Sequence, residues 1–174
     1  MTEAPATLVI PRMRELQGVW SEPIRSHPIE ASDIRKWVLA TYWPEQPPRI
    51  YWDEEYARTT RWGGIIAPRD FNPFAWPLDR PATMDFWAID AVLPLPPPAM
   101  AEVSAGNRGM NGGQVDSFGV VLRPGDVATQ QCRLLDWKER ETRLGLTMFT
   151  RAEHRWVNQR GELIKQRVNT LIRY

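Results

Sequence analysis

Alternation of apolar and polar residues predicts strands throughout the last third of the chain. From residue 144 to residue 158, every second side chain falls on one face, and residues 162–174 alternate in the same way. Gln159-Arg160-Gly161 separates the two segments and is typical of a hairpin turn. Earlier strands are predicted at residues 114–122 and 127–137, and a polar turn is predicted at 138–142. Such a succession favours a meander of long antiparallel strands.

The first third of the chain is predicted to be helical. A short first strand is expected within residues 19–26, followed by a helix that begins with Ser32 as its N-cap and ends before Pro44. A second helix is predicted at residues 53–61, because Asp53 is a good N-cap and Gly63-Gly64 is a typical helix end. The pattern predicts an α+β fold in which a curved antiparallel sheet wraps round the helix at 53–61, the most buried of the helices.

Residues 69–110 show no periodicity and include a proline tract at 94–98. The segment also carries five large aromatic residues: Phe71, Phe74, Trp76, Phe86 and Trp87. A loop of this length inside a domain is typical of a lid or a partner-binding arm, and its aromatic residues indicate that it packs on the rest of the molecule. We expect one domain over residues 1–174, elaborated at 69–110.

Composition excludes several classes of function. The net charge is +1, which favours neither a nucleic-acid partner nor a membrane surface. One cysteine and two histidines, His27 and His154, provide no metal-ligand spacing and no obvious triad. Asn111-Gly112-Gly113 lacks the strand–turn–helix setting of a dinucleotide site. No metal and no cofactor are therefore expected, and the absence of a signal-like or membrane-spanning segment predicts a cytoplasmic protein.

Several short blocks carry a resemblance to a known family. Residues 48–57 and 63–68 resemble the entry to and exit from the hot-dog helix of MaoC-like enoyl-thioester hydratases and 3-hydroxyacyl-thioester dehydratases. Four later blocks resemble the N-terminal-type, FAS1-like dehydratase domain of the same family: 111–114, 123–126, 157–163 and 170–173. Together the blocks extend from about residue 20 to the end of the chain. The resemblance implies a single hot-dog fold.

The catalytic loop of the active family members is altered in this chain. Their loop reads Gly-Asp, any residue, Asn-Pro, an aliphatic residue, His, any residue, Asp, and its aspartate and histidine activate the water that adds to an enoyl thioester. Counting back from Asp53, the histidine position is Tyr51 and the aspartate position is Gln46, beside Glu45. Two interpretations follow: Glu45 and Tyr51 form a variant acid–base pair, or the loop is degenerate and only shapes the substrate site. The second is favoured, so no catalytic residue is expected.

The resemblance implies a subunit of an enoyl-CoA hydratase or 3-hydroxyacyl-thioester dehydratase of fatty-acid or steroid metabolism. The implied substrate-binding residues are Tyr51, Trp52, Asn111, Gly112 and Gly113. The expected ligand is an acyl thioester of coenzyme A or acyl carrier protein, and nine tryptophans suit a bulky apolar acyl group. The expected partner is a second, active hot-dog subunit or a second copy of the chain. The alternatives are an active homodimer that uses variant residues and a non-enzymatic acyl-thioester-binding protein.

Overall fold

The structure, a computed structural model, describes residues 7–74 and 108–174. The described residues form helices α1 (Pro11–Leu16), α2 (Ala31–Tyr42) and α3 (Glu54–Thr59), a 3-10 turn at Arg49–Tyr51, and strands β1 (Ile24–Arg25), β2 (Gly109–Phe118), β3 (Ala128–Thr142), β4 (Gly145–Asn158) and β5 (Leu163–Arg173). Most of the elaboration predicted at 69–110, including Trp76, Phe86 and Trp87, lies outside the described residues.

The five strands form one curved antiparallel sheet in the order β1-β3-β4-β5-β2. The prediction that the last three strands are neighbours is confirmed. The polar turn predicted at 138–142 is wrong, because β3 continues to Thr142 and pairs there with Gly145. Polar residues occur in this part of β3 because it runs along an exposed end of the sheet, where side chains reach water while the backbone stays paired. Gly145, at φ +92°, ends the tight hairpin turn.

The helices differ from the prediction in their caps and in their relative burial. Glu30, rather than Ser32, caps α2, in a reciprocal capping box with Asp33. Asp53 caps α3 as predicted, since its side chain accepts a hydrogen bond from the backbone N–H of Tyr56. However, α3 is two residues shorter at its carboxyl end than the predicted helix, and α2 buries more side chains than α3 does. The short α3 offers only Ala57 for complete burial.

Two apolar clusters join the helices to one face of the sheet, called here the inner face. The first contains Leu8, Met13, Leu134, Met148 and Ala152. The second contains Ile29, Ile34, Ala57, Ile65, Ala67, Leu122 and Ala128. Strand register explains why the strand residues of both clusters share this face. Leu134 on β3 pairs directly with Ala152 on β4. Ala128 lies an even number of positions from Leu134, and Met148 lies an even number from Ala152, so their side chains point to the same side. The two clusters cover opposite ends of the inner face.

Polar side chains occupy the inner face between the two clusters. Register places His154 opposite Arg167 on β5, and Arg167 opposite Asp116 on β2. Gln130 on β3 lies opposite Trp156 on β4 in the next row. This polar band is where the structure departs most from an ordinary apolar core. No helix among the described residues is long and apolar enough to cross a membrane.

Candidate functional site

The loop before α3 places Tyr51 among polar neighbours but leaves Glu45 in solvent. Glu45 and Gln46 are exposed, whereas Tyr51 is half-buried at the end of the 3-10 turn. The pKa of Tyr51 is raised above its ordinary value of 10, first by burial and then by Tyr42, which hydrogen-bonds to it. Asp70 raises this pKa further, and Arg69 acts in the opposite direction. Tyr51 is therefore a neutral phenol at pH 7, able to donate a hydrogen bond but unable to act as a base.

The other residues predicted to bind substrate lie in two separate places. The indole N–H of Trp52 donates to the carbonyl oxygen of Pro47 at 2.9 Å and so braces the loop beside Tyr51. Asn111 lies on β2 instead, at a bulge, where its side-chain oxygen accepts a hydrogen bond from the backbone N–H of Gly113 at 2.8 Å. The structure therefore does not gather the five predicted residues around one point: Tyr51 and Trp52 flank α3, and Asn111 to Gly113 belong to an edge of the sheet.

The two glycines of this bulge differ in their surroundings. A Cβ on Gly112 would lie 2.9 Å from the side-chain methyl carbon of Thr170 on β5, so a larger residue does not fit there. Gly113 has φ +104° and open space around it, so a substitution would strain the backbone without filling a cavity. Of the three, Asn111 is the residue that lines a groove on the inner face.

A cleft of about 300 Å³, called here the aromatic cleft, opens between residues 67–73 and the sheet. Its lining residues Arg69 and Lys165 approach the ring of Phe118, with the Arg69 guanidinium carbon 5.1 Å and the Lys165 ammonium nitrogen 5.2 Å from the ring centroid. Asp70, which influences Tyr51, lines the same cleft. The cleft therefore combines aromatic area with two cations at one end.

A second hollow of about 400 Å³, called here the inner-face groove, adjoins the aromatic cleft. Both are lined by Gln130, Trp156 and Arg167. The remaining lining residues of the groove are Asn111, Gln114, His154, Asn169, Thr170 and Leu171. Most of this lining can form hydrogen bonds, and it comes from four strands of the same sheet.

His154 is a buried, neutral member of this groove. Its side chain is 6% exposed and stacks on Trp156, with ring centroids 5.8 Å apart and planes inclined by 20°. Burial lowers the pKa of His154 below 6.5, the nearby Arg167 charge lowers it further, and Asn169 acts in the opposite direction. His154 is therefore uncharged at pH 7 and has both a hydrogen-bond donor and an acceptor.

Asp116 holds the guanidinium group of Arg167, a cation that lines the groove. Its carboxylate accepts two hydrogen bonds from Arg167, at 2.7 and 2.8 Å, and lies 3.1 Å from the Lys165 ammonium nitrogen. These bonds, with that of Arg167 dominant, lower the pKa of Asp116 from 3.8 to about 2 although burial opposes the change. The paired carboxylate holds the Arg167 guanidinium in a fixed orientation on the inner face.

Replacing Asp116 by asparagine is expected to reduce both stability and its dependence on acid pH. A folded-state pKa of about 2 against an ordinary 3.8 corresponds to about 2 kcal/mol of stability. Because this pKa is lowered by folding, the contribution is complete above pH 4 and is lost as the pH falls towards 2. Urea denaturation of Asp116→Asn from pH 7 to pH 2 should show a lower free energy of unfolding and a flatter acid slope. Asp136→Asn, which removes a more exposed pair with Arg151, is the control; an unchanged acid slope in Asp116→Asn would contradict the assignment.

Sequence reasoning missed His154, Arg167 and Asp70 as site residues. Arginines on a strand ordinarily lie on a solvated face, but Arg173 is 4% exposed and Arg167 is half-buried. The alternation already placed these arginines on one face of β5, and only the assumption that a polar face meets water was wrong. Asp70 also had a signal, since Asp70-Phe71-Asn72-Pro73 matches the Asp, any residue, Asn-Pro portion of the active loop, although it follows α3 rather than preceding it.

The described residues contain no cluster of three or more His, Cys, Asp or Glu side chains placed to hold a metal ion. In the aromatic cleft and the inner-face groove, the groups available to a ligand include amides, an imidazole, aromatic rings, the Asp70 carboxylate and the cations Arg69, Lys165 and Arg167. This arrangement can bind an organic molecule with phosphate or carbonyl oxygens.

Three solved structures illustrate the likeness of the fold to known proteins. The ChsH1-ChsH2 complex of Mycobacterium tuberculosis superposes with a TM-score of 0.70 at 18% identity, covering 93% of this chain and 88% of that one. The R-hydratase PhaJ1 of Pseudomonas aeruginosa gives 0.56 at 17% identity, with 89% and 79% covered. The HadBC (3R)-hydroxyacyl-ACP dehydratase complex of M. tuberculosis gives 0.56 at 15% identity, with 90% and 96% covered. At these identities the likeness establishes a hot-dog fold.

Sequence comparison supplies the family. No curated protein sequence matches the chain. The family model described as the FAS1-like, dehydratase domain region matches residues 15–167, which is most of the chain. The predicted hot-dog fold and the predicted family are both confirmed, and the chain belongs to the FAS1-like dehydratase-domain family of hot-dog proteins.

Proposed function

We propose that this chain is the supporting hot-dog subunit of an enoyl-thioester hydratase or 3-hydroxyacyl-thioester dehydratase. In this role it binds the acyl thioester, and a partner hot-dog subunit supplies the aspartate and histidine that activate water. Family membership supports the reaction class. The ChsH1-ChsH2 and HadBC structures are complexes, which supports assembly with a second hot-dog chain.

The supporting role is favoured above all by the raised pKa of Tyr51, the residue that the family resemblance aligns with the catalytic histidine. A general base for this reaction must accept a proton near pH 7, and burial, Tyr42 and Asp70 all move the pKa of Tyr51 away from that range. Gln46, at the aspartate position, has no ionisable group. Neither histidine of the chain lies in the loop before α3, since His27 is exposed in the loop before α2 and His154 belongs to β4.

The aromatic cleft supports the binding of a thioester carrier. Coenzyme A and the prosthetic arm of acyl carrier protein both contain phosphate. Arg69 and Lys165 place two cations at the cleft, and Phe118 and Trp156 provide aromatic surface beside them. The adjoining inner-face groove then offers space for the acyl group. In this arrangement the chain contributes binding energy and orientation rather than proton transfer.

The sheet edge supports pairing with the partner. Among the described strands, β2 pairs with β5 alone, so it lies at the edge of the sheet. Its apolar residues are exposed, with Val115 at 69% and Met110 at 40%. A second hot-dog subunit, paralogous or identical, can cover this strand and extend the sheet across two chains.

Hydration of crotonyl-CoA tests the proposal directly. The chain alone is expected to give no turnover above background, and the complex with a hot-dog subunit that contains the intact aspartate–histidine loop is expected to be active. In that complex Tyr51→Phe should change kcat by less than about tenfold, because its hydroxyl transfers no proton, whereas replacing the partner's histidine should cost about a hundredfold to ten-thousandfold. Tyr56→Phe, on the exposed face of α3, is the matched control.

Two results would decide for other functions. The first is hydration by the chain alone that is abolished by Tyr51→Phe, Glu45→Gln or Asp70→Asn while the variant stays folded. That result would establish an active homomeric enzyme with variant residues. Asp70 is included because it raises the pKa of Tyr51 in the structure, although it is exposed, as Glu45 is. Binding of acyl-CoA without activity in any pairing would instead favour a non-enzymatic acyl-thioester-binding protein.

A further inference from the structure

The hydrogen-bonding groups of the inner-face groove include several donors that their own contacts leave unused. Gln130 accepts a hydrogen bond from the indole of Trp156 at 3.1 Å through its side-chain oxygen, so this bond does not use its amide N–H groups. Asn111 also accepts through its oxygen, from Gly113. Arg167 gives two of its five N–H groups to Asp116, and that pair leaves three others.

A plain hydrocarbon chain is a poor occupant for this surface. Transfer of hydrogen-bonding groups from water to an apolar contact without new partners is unfavourable for each group. His154, Gln130, Asn169 and Arg167 would all face that loss if an alkyl chain filled the groove. The loss is avoided by a ligand that places acceptor oxygens against them and lays its apolar portion on Trp156 and Leu171.

We propose that the inner-face groove selects acyl groups that carry a carbonyl or other acceptor oxygen within the chain, rather than plain saturated acyl groups. This proposal rests on the proposed function, since it assigns the substrate class of the same binding site. Gln130 is the donor nearest the centre of the sheet, where β3 and β4 pair, and His154 lies beside it with its ring in contact with the Asn169 side chain. Trp156 lines both the groove and the aromatic cleft. An acyl chain that extends from a thioester carrier in the cleft into the groove would therefore bring its acceptor oxygen to these residues.

The groove also changes the expectation for the size and polarity of the substrate. The tryptophan content predicted a bulky apolar acyl group, but the described tryptophans are spread over the molecule. Trp43 is 82% exposed, Trp20 stacks with Arg133, and Trp37 contacts Phe71. Among the described tryptophans, Trp156 lines both the aromatic cleft and the groove. The polarity of the acyl site therefore follows from Gln130, His154 and Arg167.

Calorimetric titration of the full chain with decanoyl-CoA and with its 5-oxo, 7-oxo and 9-oxo derivatives tests this inference. At least one oxo derivative should bind about tenfold more tightly than decanoyl-CoA, the gain expected from one or two net hydrogen bonds. His154→Leu should remove most of that preference, measured as the ratio of the Kd of decanoyl-CoA to the Kd of the oxo derivative. Gln130→Met should reduce the preference independently, which keeps the test decisive if the histidine variant does not fold.

Gln131→Met is the matched control. Gln131 neighbours Gln130 on β3 but lies on the opposite face, where its side chain donates to the carbonyl oxygen of Ser21 at 2.9 Å. The oxo preference should be intact in this variant. Equal binding of decanoyl-CoA and every oxo derivative, or a preference that survives both inner-face substitutions, would overturn the inference alone. Failure of all four thioesters to bind would overturn the proposed acyl-binding function together with it.

Discussion

Replacement of Gly119 by alanine is expected to destabilise the chain by about 3 kcal/mol. A Cβ at this position would lie 2.0 Å from the carbonyl oxygen of Leu163, which is a backbone atom and cannot turn aside as a side chain can. The same oxygen accepts a hydrogen bond from the N–H of Val120 at 2.8 Å, so relief of the clash also disturbs the pairing of this segment with β5. Urea denaturation of Gly119→Ala measures the loss.

Gly64→Ala is the control for this prediction. A Cβ on Gly64 would have no other atom within 4 Å, and the backbone there does not adopt a positive φ. Its replacement should change the free energy of unfolding by no more than about 0.5 kcal/mol. Comparable stability of Gly119→Ala and Gly64→Ala would mean that the chain after β2 does not approach Leu163 as described.

Because Gly119 and Phe118 both line the aromatic cleft, Gly119→Ala should also weaken binding of acyl-CoA.

Leu134→Ala is expected to cost about 3 kcal/mol, in the middle of the range for a large buried aliphatic residue. Leu134 is fully buried and lies at the centre of the first apolar cluster, where Leu8 and Met13 bring α1 onto the inner face. Its carbonyl oxygen also accepts a hydrogen bond from Gly18, so the backbone on both sides is fixed and cannot close the cavity fully. The free energy of unfolding from urea denaturation is the measurement.

Leu144→Ala provides the comparison on the same hairpin. Leu144 is 47% exposed in the turn between β3 and β4, and its truncation should cost less than about 1 kcal/mol. Loss of α1 contacts should also expose the amide groups near Met13 and Gly18 to hydrogen exchange in Leu134→Ala. Equal costs at positions 134 and 144 would contradict the assignment of the inner face on β3.

Much of the fold was predictable because it depends on local signals. The hairpin between β4 and β5 follows from alternation on both sides of Gly161, whose φ of +78° suits glycine. Asp53 capped its helix as predicted, because an N-cap needs only the backbone N–H groups that follow it. The family resemblance depended on the order of short blocks, and the match over residues 15–167 confirmed it.

Other features could not be predicted from local signals. A strand pattern separates two faces but does not say which face the helices cover, since that depends on residues such as Leu8 that lie more than a hundred positions away from Leu134. Alternation alone therefore does not predict that Arg173 is buried and that Arg167 lines the inner-face groove. The proximity of Asp70 to Tyr51 likewise arises from the packing of the loop after α3 against the loop before it.

The sequence alone determined the family and the hairpin between β4 and β5, because these are properties of residue identity and short-range spacing. The tertiary structure decided which sheet face is covered and which polar residues meet there. Asp116, Arg167 and His154 come from three different strands, and Gln130 comes from a fourth. They lie in one polar band of the inner face only because antiparallel register aligns them across the sheet, and register depends on the pairing of whole strands rather than on any one segment.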